Sequence, residues 1–135
     1  MNKDIEIKEV KDIAIAATPG EVDEKGEVMW NIYFINLKHT PVENVLINAS
    51  GSGLIDGEER KTATMRYFLG NMEPRSFKRF ELMLAESLAL TNLFWVSFFE
   101  DGNMLDKKYI FPPGSINPEL MTIVPIIRQS GVVLE

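Results

Sequence analysis

Residues 28–50 read Val28-Met29-Trp30-Asn31-Ile32-Tyr33-Phe34-Ile35-Asn36-Leu37-Lys38-His39-Thr40-Pro41-Val42-Glu43-Asn44-Val45-Leu46-Ile47-Asn48-Ala49-Ser50. Two runs of β-branched and aromatic residues flank a Lys-His-Thr-Pro turn, and each run alternates with a period of two. Trp30, Ile32 and Phe34 share one face of the first run, and Val45, Ile47 and Ala49 share one face of the second. That pattern belongs to a strand, a turn and a strand, with one side of each strand facing a core.

Working outward, the same grammar covers the chain. Turn signals recur at Thr18-Pro19-Gly20, Lys25-Gly26, Gly51-Ser52-Gly53, Asp56-Gly57, Gly70-Asn71, Glu73-Pro74, Asp101-Gly102-Asn103 and Pro112-Pro113-Gly114. Between them strands are expected at Val10–Ala17, Val28–Leu37, Val42–Ser50, Lys61–Leu69, Ser76–Leu84, Leu93–Glu100 and Met104–Phe111, with a last extended piece at Met121–Ile127. Phe94, Val96 and Phe98 complete the inward set, and two sheets about 10 Å apart would bury it. The expected fold is all-β: an immunoglobulin-like antiparallel β-sandwich of about seven or eight strands, with at most one or two short helical turns. Glu81–Leu90 holds good helix formers and reads either as a short helix or as a strand extension. Asn117-Pro118-Glu119 resembles a helix start, with Asn as cap and Pro in the first turn, turning the C-terminus back over the sandwich.

The 135 residues make one domain, 1–135, with 45% apolar and 25% charged residues. A chain of this mass buries about two thirds of its surface on folding, enough for a core without a metal or disulfide staple. With no cysteine and a single histidine, thiolate chemistry, Cys-ligated zinc, a catalytic triad and a His-based metal site are excluded. No secretory h-region opens the chain and no apolar run reaches membrane-spanning length, so a cytoplasmic location and no membrane partner are expected. Net charge is −6, which disfavours a general phosphate-backbone binder.

Individual constellations are weak as chemistry. His39 sits in a turn with no nucleophile beside it and reads as a solvated turn residue. Gly51-Ser52-Gly53-Leu54-Ile55-Asp56-Gly57 lacks the spacing of a phosphate loop and reads as a hairpin or bulge. Asp56, Glu58 and Glu59, and likewise Glu100 and Asp101, lack the pattern of a dedicated calcium loop. No catalytic, cofactor-binding or metal-ligating residue is therefore assigned, and no cofactor is expected.

Two patches stand out instead. Six bases (Arg60, Lys61, Arg66, Arg75, Lys78, Arg79) and one acid, Glu73, fall between Arg60 and Arg79. On one strand, Arg60, Thr62, Thr64 and Arg66 would share a face, with Arg75 and Arg79 near Arg66 if the following strand pairs as a hairpin. The second patch is aromatic. Tyr33 and Ile35 alternate with the core set on one strand, and Trp95 and Phe99 do so on another, so these strands are apolar on both sides. Such strands need covering, either by the C-terminal segment Leu120–Leu134 or by a partner.

Two segments carry a resemblance. Asn36–Val45 is similar to the "N…x-P-[LV]-x-N-V" segment of bacterial immunoglobulin-like modules, and Leu69-Gly70-Asn71-Met72-Glu73-Pro74-Arg75-Ser76 to their "LG-x-L-x-PG-x-S" turn, with Arg75 where Gly is usual. Lys61–Arg66, Met104–Phe111 and Ile126–Gly131 resemble a small family of uncharacterised Bacteroidetes-type proteins, some labelled as related to phenylalanyl-tRNA synthetase. An aminoacylating domain needs a far larger mixed α/β scaffold, so the resemblance implies at most association with that enzyme or with translation. The expected function is a non-catalytic protein-interaction module, binding a protein partner or itself through Tyr33, Ile35, Trp95 and Phe99. The alternative is a nucleic-acid- or translation-associated accessory using Arg60, Arg66, Arg75 and Arg79.

Overall fold

The computed structural model describes residues 9–135. Among the described residues, ten strands form two antiparallel sheets. β1 (Ile13–Val22), β2 (Val28–Asn36), β6 (Ser76–Met83), β9 (Thr122–Ile123) and β10 (Ser130–Leu134) make the first, in the order β6-β2-β1-β10-β9. The second holds β3 (Val42–Ile55), β4 (Glu58–Lys61), β5 (Met65–Met72), β7 (Thr91–Glu100) and β8 (Asn103–Phe111). There β4 and β5 both lie along one side of β3, with β7 and then β8 on the other. Helical structure among the described residues is limited to 3-10 turns at Ala85–Ala89 and Pro118–Leu120.

The alternation in the sequence translates directly into packing. Trp30, Ile32 and Phe34 of β2, Val45, Ile47 and Ala49 of β3, and Phe94, Val96 and Phe98 of β7 are all buried in one cluster shared by the two sheets. Phe80, Phe94 and Phe111 pack edge to face in series, with centroids 5.7 and 5.9 Å apart. The tight hairpins obey their turn chemistry. Asp56-Gly57 joins β3 to β4 at φ 53° and 79°, and Asp101-Gly102 joins β7 to β8 at φ 51° and 76°. Positive φ at both central residues matches the right-handed twist of the flanking strands, which is why Asp-Gly recurs there.

Where the chain changes sheets, Asn36 holds the corner. Its side-chain N–H groups donate to the carbonyls of Thr40, Met72 and Glu73 at 3.0, 3.3 and 3.0 Å, and its Oδ1 accepts from Lys38 N at 3.0 Å. Arg75, in the turn between β5 and β6, lies at φ 55°, the left-handed conformation that explains why glycine suits this position. Across the same end, Lys38 Nζ lies 3.0 Å from Glu100 Oε2, off the angle of a directed hydrogen bond and therefore an ion pair tying the turn after β2 to the end of β7.

Several expectations need correction. β1 runs on through Thr18-Pro19-Gly20, read as a turn. β10 pairs with β1 only at Ile15–Ala17, so Pro19 has a free strand edge where its missing N–H breaks no ladder. The expected Lys61–Leu69 strand is broken at Thr62–Thr64. Cross-strand partners then slip by one residue, from Ser52–Lys61 to Ala49–Met65. In Glu81–Leu90 a 3-10 turn does form, but Glu81–Met83 belong to β6, because pairing with Trp30–Ile32 outweighs their helix propensity. The turn at Asn117 forms as expected, with Asn117 Oδ1 accepting from Glu119 N at 3.0 Å. Beyond it, Met121–Ile127 is mostly not strand. Val124–Gln129 is a tight loop closed by Val124 N donating to Gln129 O at 2.8 Å.

Candidate functional site

β2 and β7 lie in different sheets, so Tyr33 and Ile35 do not share a surface with Trp95 and Phe99. Ile35 is fully buried on the outer side of the first sheet, beneath a small cluster with Ala14, Ala16 and Val124. Tyr33, Leu37, Ile126 and Ile127 pack around it, so the C-terminal loop caps the centre of this face from within the molecule and leaves Phe77, opposite Ile35 on the edge strand, exposed. Close fitting makes that possible. A Cβ added at Gly131 would stand 2.5 Å from the Ala17 carbonyl oxygen and 2.8 Å from Val124 Cγ2.

The outer side of the second sheet has no such cover. Cross-strand pairs share a face, and three rows cross this one: Phe68–Leu46–Ser97–Asp106, Arg66–Asn48–Trp95–Lys108, and Phe99–Met104. Ile110, opposite Leu93, extends the patch. Phe68 is 67% exposed, Met104 64%, Ile110 52%, Trp95 41% and Phe99 37%. Four strands wide and about six residues long, the whole face spans on the order of 300 Å², its exposed apolar side chains interspersed with Asn48, Arg66, Asp106 and Lys108. Trp95 is fixed at its centre: Nε1 donates to Asp106 Oδ2 at 2.7 Å, and Lys108 Nζ lies 4.5 Å from the ring centroid. Arg66 stands at the far end of the same row, beyond Asn48, so the row that holds the indole carries a cation at each end.

The basic residues that looked continuous in sequence are dispersed. Arg60 pairs with Gly53 and so has the parity of inward-facing Gly51 and Ala49, while Arg66 pairs with Asn48 on the outer face. The one-residue slip at Thr62–Thr64 causes this reversal. β6 pairs with β2 rather than β5, placing Arg75 and Arg79 with the first sheet. There Arg75 Nη1 donates to Leu37 O at 2.9 Å, and Arg79 Nη1 to Asn31 Oδ1 at 3.1 Å. The carboxylates are scattered as well. Arg60 pairs with Glu58 at 3.2 Å and Lys61 with Glu59 at 3.9 Å, all four side chains exposed. Among the described residues no three His, Asp or Glu side chains gather where a metal could sit, and His39 lies exposed in its turn.

One feature escaped sequence reasoning. Between the edge strands β5 and β6 the sandwich opens into a cleft of about 240 Å³. In it Tyr67 Oη donates to Glu81 Oε1 at 2.9 Å. Partial burial raises the Glu81 carboxyl above its ordinary value, against the opposing pull of the Tyr67 hydrogen bond. Tyr67 is itself raised, by burial first and then by its bond to the Glu81 carboxylate and that group's charge. The inward turn of Glu81 depends on a bulge. Ile32 pairs with Glu81 but Tyr33 pairs with Arg79, which leaves Phe80 as the extra residue. Period-two alternation hides a bulge, so no local signal announced the site.

The molecule is thus a two-sheet antiparallel β-sandwich with one face capped by its own C-terminal loop, one open aromatic face and a lateral acidic cleft. No family model, curated protein or solved structure matches the chain.

Proposed function

We propose that this protein is a non-catalytic protein-interaction module of immunoglobulin-like arrangement, and that it receives its partner on the open face of the second sheet. The observation that carries this reading is the contrast between the two outer faces. The apolar centre of the first sheet's outer side, around Ile35, is covered by the chain's own Val124–Ile127, with Phe77 and Leu82 of the edge strand β6 left exposed, whereas Trp95, Phe99, Phe68, Met104 and Ile110 form an uncovered platform across the second sheet. Aromatic residues with methionine around a central tryptophan, ringed by charge, have the composition of a protein-binding surface. Lys108 over that tryptophan and Arg66 at the far end of its row favour a partner surface that carries carboxylates.

Site-specific photocrosslinking tests the proposal. A photoreactive side chain at position 104 should give a discrete adduct in the native cell, and Trp95→Asp should abolish it. The same probe at position 86, in the 3-10 turn at the far end, should give none. The adduct's mass separates a second copy of the chain from another protein, and ribonuclease sensitivity would identify RNA instead. An RNA adduct, no adduct, or one indifferent to Trp95→Asp would overturn the proposal.

A further inference from the structure

We propose that the cleft between β5 and β6 binds a small organic ammonium ion, with the charge against Glu81 and the alkyl part against Ala49, Met65 and Phe94. The site is independent of the open face. Its first support is the way β6 is built. Strict alternation from Lys78, opposite inward Phe34, would turn Phe80, Leu82 and Leu84 toward the interior. The bulge keeps Phe80 packed on Phe94 but turns Glu81 and Met83 inward after it, leaving Leu82 and Leu84 exposed at 46% and 44%. The strand therefore directs a carboxylate, rather than a leucine, into a partly apolar cleft.

The second support is the charge of the lining. Glu81 is its one carboxylate, and no Lys, Arg or His lines the cleft among the described residues. An anion would be repelled. A neutral apolar guest would further dehydrate the carboxylate with no compensating charge. An ammonium group relieves that cost.

The remaining polar groups agree. Tyr67 occupies Glu81 Oε1, which leaves Oε2 for the guest. Asn92 uses its amide N–H groups on the Ser87 and Leu90 carbonyls at 2.9 and 3.3 Å. Its Oδ1 faces the Gly51 floor, 3.1 Å from where a Cβ there would stand. Tyr67 and Phe94 line the cleft, held by Phe80 behind them in tilted and edge-to-face contact at 5.3 and 5.7 Å. At about 240 Å³ the cleft is smaller than sites for drug-sized ligands and suits a guest of few heavy atoms.

The test is a titration of the isotope-labelled full chain with n-butylammonium chloride at constant ionic strength, followed by NMR. Saturable shifts confined to Gly51, Tyr67, Glu81 and Asn92, with Kd on the order of millimolar, are expected, while butyrate and 1-butanol should produce none. Glu81→Gln should weaken binding at least about tenfold without altering the spectrum elsewhere. If that variant misfolds, Glu81→Asp, which withdraws the carboxylate from the cleft, should show the same loss. Non-saturating shifts, shifts spread over the surface acids, equal shifts with 1-butanol, or undiminished binding by a folded Glu81 variant would overturn the proposal.

Discussion

Asn36 shows how one polar side chain can decide a corner. It is fully buried, and its side chain serves three carbonyls and one backbone N–H between β2 and the turn into β6. Asn36→Ala removes all four bonds and leaves buried carbonyls unpaired. A loss of about 2–3 kcal/mol is expected in denaturant unfolding, and a loss below about 0.5 kcal/mol would contradict this role. At Glu81 the issue is protonation. Because burial raises its folded pKa above the ordinary 4.5, the folded chain binds more protons than the unfolded one in the window between the two values. The carboxyl's contribution to stability is therefore fullest below 4.5 and is lost as pH rises through the raised value. Glutamine cannot ionise and still accepts from Tyr67. The Tm of Glu81→Gln relative to the parent should therefore climb as pH rises from 4.5 through the raised value, and a difference that stays constant with pH would refute the assignment. Gly131 is governed by contact. Gly131→Ala must displace the Ala17 carbonyl or Val124, at a cost of about 2–3 kcal/mol, with amide exchange rising first in β10.

At the level of elements, the strands in the sequence are legible wherever one face meets the core, and less so wherever pairing alone defines them. Val28–Leu37 and Met104–Phe111 fall within a residue of β2 and β8, since alternation and the turns at Lys25-Gly26 and Asp101-Gly102 mark them locally. The break at Thr62–Thr64 and the bulge at Phe80 carry no such mark. Each inserts one residue into a ladder whose register belongs to the partner strand, β3 or β2. Both slips matter for function, because one disperses the basic strip and the other creates the acidic cleft. The C-terminal loop is similarly opaque. Ile126 sits at φ 69°, with Ile127 N donating to Pro125 O at 2.7 Å, a tight turn unfavourable for a β-branched residue. Its packing around the Ile35 cluster offsets that strain, and this contact has no local sequence signature.

For the molecule as a whole, the open face should contribute to recognition and little to folding. Phe68→Asp lies 67% exposed at the platform's margin, so stability should change by no more than about 0.5 kcal/mol, while crosslinking from position 104 falls sharply. A large stability loss would place Phe68 in the structural core instead. By itself the sequence determined the class of fold, the inward set from Trp30 to Phe98 and the Asp-Gly hairpin turns, because burial periodicity and positive-φ turn chemistry act over a few neighbouring residues. Only the tertiary structure decided which outer face is capped, where the arginines point and that Glu81 turns inward. Those outcomes depend on register between strands distant in sequence, where a single inserted residue reverses every side chain beyond it.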